Sequence, residues 1–415
     1  MDKKKVLLFT DSFPFGYKEA FLEAEIIELG NNNDIELIIF PLLENSLPQR
    51  EVPANAVFDI KLCDKLKFYE KWIFLLFPVI FLNPFFWKEI KVFSSVIFKL
   101  KKLRKLIAAS TFSWVIYKYL KKNYSEELNS KSIFYSYWFY YAAYAGALLK
   151  RDNFDFTLIS RAHGTDVFQN RKDTGCYLPF RRFPLWQYFS KIFPVSQEGK
   201  RYLNQNQNIP FSKLEVSYLG INPPNAISLG SMKNSLTVVS CSNIISIKRI
   251  DLIIDGLASY KECYPSNEII WHHFGDGTLL TQIKKLANEK LVPKDINYKF
   301  HGHVQNHEVI KFYSNTDLDC FITTSSTEGL PVSIMEALCF GIPVLATAVG
   351  GIPEAMNDEL GFLLDKKFTN SDFVFGLHKM HEFKTLEKRE KIALFGKQKF
   401  TAEINYGRFI DNILQ

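Results

Sequence analysis

The sequence predicts an α/β protein made of two doubly wound, Rossmann-like domains. Three observations predict it. The chain has 415 residues, 47% of them apolar, long for one core and rich enough to bury two. Apolar runs of strand length alternate with helical periodicity in both halves. A polar, turn-rich stretch opening Gly220-Ile221-Asn222-Pro223-Pro224 and continuing to Ser235 separates the halves. The domains are placed at 1–222 and 223–395, with a closing helix at 396–415.

Residues 4–9 read as the first strand and 35–40 as the second, with a helix at about 18–29 between them. This βαβ opening predicts a parallel sheet with ligands at the strands' carboxyl ends. No G-x-G-x-x-G follows the first strand, which argues against a nicotinamide or flavin dinucleotide. The N-terminal apolar run is five residues, too short for a signal peptide, so export is not expected. Alternation resumes with strands at 132–137, 156–160, 191–195 and 214–218, and helices at 138–149 and 196–203. In the second half strands are expected at 236–241, 268–274, 297–301, 318–323 and 342–346. Helices fall between them at about 249–262, 277–290, 306–313 and 331–339, and the tail from Asp372 is helical and charged. The short connections suit a doubly wound sheet.

The net charge of +7 is unevenly placed: residues 61–122 carry 14 Lys and Arg against 3 Asp and Glu, a local +11, so the remainder sums to −4. Within the segment 66–122, the uncharged run from Trp72 to Trp87 contains Pro78 and Pro84 and is short for a spanning helix. Ile90, Phe93, Ile97, Leu100, Leu103 and Ile107 then recur at three- and four-residue steps, among Lys99, Lys101, Lys102, Arg104 and Lys105. A basic amphipathic helix beside aromatic residues is the pattern of a helix lying in a membrane interface. A core helix with a solvated basic face is the other reading. Nucleic acid is not expected, because no binding motif is present. The six cysteines, including Cys176, form no C-x-x-C pair, so neither a disulfide framework nor a zinc site is expected, and a reducing, cytoplasmic compartment is. His272, His273, His301, His303 and His307 lack an evident carboxylate or cysteine partner, so no metal is expected there.

The densest chemistry lies in TTSSTEGLPVSIMEALCFGIPVLATAVGGIPE, residues 323–354. Pro331 suits the first position of a helix, where its missing N–H costs nothing. The N–H groups of Val332 and Ser333 would then point outward with the positive end of the helix dipole, a site for phosphate. A carboxylate beside that site repels phosphate. Glu328 and Glu336 are therefore read as acceptors for sugar hydroxyls. The string of Glu328, Gly329, Leu330, Pro331, Glu336, Gly341-Ile342-Pro343-Val344 and Gly350-Gly351-Ile352-Pro353-Glu354 resembles the retaining glycosyltransferases of family 4.

That resemblance implies the GT-B fold, with two domains facing each other across a cleft and the last helix returning to the first domain. The first domain would bind the acceptor and the second a nucleotide-sugar of the UDP or GDP type, without a metal or other cofactor. In the family the loop after the second half's first strand carries an Arg and a Lys that clamp the donor diphosphate. Lys248 matches the Lys; Asn243 stands where the Arg is usual, and Arg249 is the candidate replacement. His163 in RAHGTD matches the family's His at the donor sugar, and Gly16 with nearby Glu19 partly matches its glycine-rich first loop. Gly275 and Gly277 would lie near the diphosphate, and His303 with Val304 near the nucleobase. Glu328 would hold the transferred sugar and Glu336 the ribose. RAHGTDV, YLPFR and FPVS resemble most the bacterial members that build capsule, exopolysaccharide or O-antigen units on lipid-linked acceptors. With the basic aromatic segment, this implies peripheral attachment to an anionic membrane. A soluble transferase with a free sugar or glucan acceptor, a sugar-nucleotide 2-epimerase and a non-catalytic GT-B partner subunit are the alternatives.

Overall fold

A computed structural model of the chain describes residues 3–16, 19–46, 49–71, 81–93, 96–169, 177–181, 184–231 and 235–415. The chain divides into two compact units, residues 1–218 with 406–415, and residues 219–405.

The first unit contains β1 (Lys4–Thr10), α1 (Glu23–Asn31), β2 (Ile35–Pro41), β3 (Ala56–Phe58), α2 (Lys61–Lys71), α3 (Pro84–Val92) and α4 (Leu100–Asn123). It continues with β4 (Ser132–Ser136), α5 (Tyr141–Arg151), β5 (Thr157–Ala162), α6 (Gly164–Val167), β6 (Lys191–Pro194) and α7 (Gln197–Gln207). The strands form one parallel sheet in the order β3-β2-β1-β4-β5-β6. β1 is buried from Val6 onward, as a parallel strand covered on both faces must be. One face, with Leu7, Phe9, Phe40 and Phe134, packs in a core with α4 and α5. The other, with Val6, Leu8, Ile39 and Tyr135, packs with α1 and with Phe409, Ile410 and Ile413 of the C-terminal helix. Strand order reverses between β1 and β4, which makes their carboxyl ends the switch point of this sheet.

The second unit contains β7 (Ser235–Cys241), α8 (Ile250–Cys263), β8 (Glu268–Phe274), α9 (Leu280–Leu291), β9 (Ile296–Gly302), α10 (Asn306–Asn315) and β10 (Cys320–Thr323). Then come α11 (Val332–Cys339), β11 (Val344–Thr347), α12 (Ile352–Ala355), β12 (Gly361–Leu364), α13 (Asn370–Lys379), α14 (Leu386–Phe400) and α15 (Ala402–Leu414), whose last turns belong to the first unit. The parallel order is β12-β11-β10-β7-β8-β9, and the switch lies between β7 and β10.

Two local expectations differ. The apolar stripe from Ile90 to Ile107 is not one helix: α3 ends at Val92 and α4 begins at Leu100. The helical phase does not carry across that break, so Ile97 and Leu100 are exposed while Leu106 and Ile107 are buried. The 214–218 strand is reduced to a single bridge between Ile192 and Leu214. The carbonyl of Ser217 is instead taken by the Arg161 guanidinium at 3.0 Å. Of the uncharged run from Trp72, residues 72–80 lie outside the described residues; so does Cys176.

Candidate functional site

The loops that leave β7 and β10 in the second unit are stitched together at the switch point. Ser326 N–H donates to the Ile247 carbonyl at 2.8 Å, and Thr324 Oγ1 donates to the Arg249 carbonyl at 2.8 Å. This seam brings Lys248 onto Glu328, Nζ to Oε1 at 2.5 Å. Ser325 Oγ donates to the same oxygen at 2.6 Å. Glu328 is 9% exposed, and its pairing with Lys248 offsets the cost of burying either charge alone. Arg249 takes the left-handed conformation at φ 49. Its guanidinium donates to the carbonyls of Thr324 (2.5 Å), Lys366 (2.9 Å) and Ser325 (3.2 Å). The sequence suggests a phosphate cation at this position; the side chain instead braces backbone. Asn243 is exposed on the same loop.

α11 begins one residue later than the sequence suggests. Pro331 is its N-cap and Val332 its first residue. The Pro331 carbonyl accepts from Ile334 N–H at 3.1 Å. Among the described residues no bond is made to the N–H groups of Val332 or Ser333, which leaves them to an external acceptor. Leu330 is buried beneath this turn. Gly329 accepts from Gly351 N–H at 2.6 Å. A Cβ on Gly350, at φ 57, would lie 2.0 Å from the Glu328 carbonyl, so the paired glycines let the β11 loop close on the carboxylate's own backbone.

Glu336, on the second turn of α11, is buried, and burial pushes its carboxyl up to about 7 against one opposing hydrogen bond from Asn306. Asn306 Nδ2 donates to Glu336 Oε1 at 2.7 Å. Nothing in the sequence marks Asn306 beyond its place at the start of the helix after the His303 loop. Gly275 (φ 135) and Gly277 hold the β8 loop against the β7 loop, where a Cβ would meet the carbonyls of Ser242 and Ile244 at 1.9 and 2.4 Å. His303 is exposed and Val304 half-buried on the loop after β9.

The histidines of β8 and β9 pair with one another or with serine. His272 Nδ1 lies 3.0 Å from His301 Nε2, and His273 Nδ1 lies 2.8 Å from Ser240 Oγ. Burial lowers His272 and His273 to about 4, which keeps both rings neutral. Among the described residues no group of three His, Cys, Asp or Glu could hold a metal ion.

In the first unit His163 leaves β5 at its carboxyl end and caps α6. Its ring is 7% exposed and packs against Trp138 (centroids 4.5 Å), Tyr137 (4.9 Å) and Phe21 (6.2 Å). Neither ring nitrogen has a hydrogen-bond partner. Buried polar atoms are rarely left so; the Asp166 carboxylate lies 3.9 Å from Nδ1, beyond hydrogen-bond reach. Gly16 sits at φ 65 in the β1 loop. Glu19 is spent inside that loop: its carboxylate accepts from the N–H groups of Asp11, Ser12 and Phe13 at 2.7–3.1 Å and from Trp138 Nε1 at 2.5 Å.

Residues 225–399 match the family described as Glycosyl transferases group 1. The chain is 27% identical over 218 residues to the putative colanic acid biosynthesis glycosyltransferase WcaL of Escherichia coli, a match covering 49% of this chain and 50% of WcaL. The chain thus spans about half the length of this relative, and less of several other curated ones. Over 99% of both chains, its structure resembles the lipopolysaccharide outer core galactosyltransferase WaaB (TM-score 0.64, 15% identity). It resembles Anabaena HepE, solved with UDP-glucose, over 99% of both chains as well (TM-score 0.63, 15% identity). At such identity these two likenesses speak to the fold.

Proposed function

The chain is a relative of the bacterial capsule, O-antigen and exopolysaccharide glycosyltransferases and has their GT-B fold; from that premise we propose that it is a retaining glycosyltransferase. It moves a hexose-type sugar from a nucleotide-sugar to a lipid-linked saccharide in surface polysaccharide assembly. The observation that carries this reading is the β7/β10 switch point, where Lys248 pairs with Glu328 on the loop that leads into α11, whose first N–H groups are open. The pair supplies a cation and a carboxylate, and the amide donors follow the carboxylate within a few residues of chain. That set suits a sugar diphosphate and little else.

In this mechanism the Lys248–Glu328 pair is a resting arrangement. The donor diphosphate draws Lys248 Nζ and takes the N–H groups of Val332 and Ser333. Glu328, released, accepts from hydroxyls of the transferred sugar, and Glu336 accepts from the ribose with Asn306 holding its other side. Charge that builds on the leaving phosphate meets Lys248 and the helix N-terminus, which are already in place. His163 supplies its unpartnered ring nitrogen to the sugar. Arg249 serves the clamp by fixing the Thr324–Ser325 backbone that carries Glu328. No carboxylate is assigned as a covalent nucleophile, so retention proceeds by attack on the face the leaving phosphate vacates, the phosphate taking the acceptor proton.

Support for a lipid-linked acceptor comes from the first unit. Phe81, Leu82, Trp87, Val92, Ile97, Phe98 and Leu100 are exposed, and Lys99, Lys101, Arg104 and Lys105 lie among or just beyond them. Next to Leu82, α2 and α4 leave a groove of about 670 Å³ lined by Phe68, Trp114, Lys65, Lys118 and Lys122. Among the described residues no helix is long and apolar enough to cross a membrane. Attachment would be peripheral, on the cytoplasmic face.

The test is direct. A panel of UDP-, GDP- and dTDP-sugars, read by thermal shift, should give one stabilising donor. With that donor, Glu328→Ala and Lys248→Ala should each lower kcat by about 10²–10³-fold, the usual effect of removing one preorganised charge partner. Near wild-type turnover in both variants would sink the assignment.

A further inference from the structure

Behind His163, in the first unit, three stretches meet in contacts that no catalytic step above uses. The Asp166 carboxylate ties two turns together, accepting from His163 N–H at 2.5 Å and from Phe139 N–H at 2.7 Å. Arg181 ties the same two turns a second time. Its Nη2 donates to the Phe139 carbonyl and, at 3.1 Å, to the Asp166 carbonyl. Its guanidinium carbon stands 3.4 Å from the centroid of the Phe139 ring. Residue 139 directly follows Tyr137 and Trp138, whose rings wall His163.

Arg181 is an expensive way to hold two carbonyls. The residue is 7% exposed, its Nε and Nη1 have no hydrogen-bond partner, and among the described residues no carboxylate pairs with it. A buried unpaired cation is costly and persists where something depends on its placement. The residue before it, Phe180, sits at φ 66, a conformation uncommon for a bulky side chain. What keeps it there is Glu89 of α3, fully buried, which accepts from Phe180 N–H at 3.1 Å and from Tyr177 Oη–H at 2.8 Å. Pro179 is held too, its carbonyl accepting from Tyr144 at 2.8 Å.

We propose that Glu89 and Arg181 are positioning residues for His163: Glu89 pins the strained turn at Phe180, that turn aims Arg181, and Arg181 locks the Phe139 and Asp166 turns so that the imidazole is presented between Tyr137 and Trp138. Neither residue touches substrate. The catalytic half of the inference rests on the reading of His163 as a sugar contact; the positioning half does not.

The experiment therefore has two readouts on full-length protein. In protein labelled with [13C]histidine, the Hε1–Cε1 resonance of His163 is identified among the eight histidines by its loss in His163→Gln. Arg181→Met and Glu89→Gln should each shift that resonance and leave those of His272, His273 and His301 in place. Glu89→Gln keeps the side chain's shape and an acceptor oxygen, which guards against loss of fold. In the kinetic readout, kcat should fall about 10- to 100-fold, as expected for a misplaced reacting partner, with donor KM within about twofold. Arg181→Lys should restore part of kcat. An unmoved His163 resonance in both variants overturns the proposal. A shifted resonance with wild-type kcat upholds the positioning and overturns instead the role of His163 at the sugar.

Discussion

Glu336 is the residue whose environment makes the sharpest demand. Burial raises its carboxyl from 4.5 to about 7. The folded state therefore holds a proton that the unfolded chain has released, and this favours folding at low pH. The stabilisation is fully present below about pH 4.5 and is lost as pH rises to about 7, above which it is gone; the whole swing is on the order of 3 kcal/mol. Glu336→Gln should remove that swing, leaving the variant more stable than wild type at pH 8 and not at pH 5, by urea denaturation. With Glu336 taking the ribose as a carboxylate, as proposed, donor binding should release close to one proton at pH 6, measurable by calorimetry in buffers of different ionisation enthalpy. Absence of proton release would detach Glu336 from the ribose. At this scale the sequence marked Glu328, Glu336 and Lys248 as candidates, because the motif fixes which loops carry them. It was a poor guide to Ser325, Asn306 and the orientation of Arg249. Those depend on where a loop folds back, and the left-handed turn at Arg249 that points its guanidinium at carbonyls has no local signature.

Elements were legible in proportion to their length and periodicity. Buried parallel strands of seven residues, such as β1, β2, β7 and β8, stand out as apolar runs, and the long helices stand out by their stripe. β3, with three residues, carries no pattern long enough to read, and β12 was not read although the equally short β6, β10 and β11 were; each pairs with the edge that its neighbour, β2 or β11, offers. The α3–α4 break escaped because three- and four-residue spacing persists across it by composition alone. The glycine turn after β11 shows the opposite case, where a short signal has a strict geometric cause. Gly350→Ala would force a Cβ to 2.0 Å from the Glu328 carbonyl at a positive φ. The β11 and β10 loops would have to separate, at a cost of about 1–3 kcal/mol. Because that separation moves Glu328 itself, donor affinity should fall along with stability in chemical denaturation. An alanine variant with unchanged donor affinity would show that the loop contact is not what holds the carboxylate.

At the scale of the molecule, two sheets with the same switch-point logic were readable from alternation alone, and the return of the last helix from the family resemblance. That helix joins the first unit through side chains distant in sequence: Arg161 pairs with Glu25 at 2.9 Å while its guanidinium carbon lies 4.2 Å from the centroid of the Phe409 ring. Surface chemistry is the other property that belongs to the whole molecule. Net charge of +7 is concentrated in one segment, and there Phe98 is 88% and Leu100 63% exposed beside Lys99 and Lys101. Exposed apolar side chains scattered singly are ordinary; seven within residues 81–100 are not. A lipid surface, the proposed partner, would account for both features, since it takes apolar groups and attracts cations at about 1 kcal/mol per lysine. Wild-type protein should therefore sediment with vesicles containing phosphatidylglycerol, less so at high salt. Lys99→Glu with Lys101→Glu should weaken binding roughly 30-fold or more, while Phe98→Ser with Leu100→Ser should weaken it even at low salt. Thermal shift by the nucleotide-sugar, whose proposed site lies in the second unit, should be the same in all of them. Equal sedimentation of wild type and both double variants would remove the membrane from the account, and with it the main structural support for a lipid-linked acceptor over a soluble one.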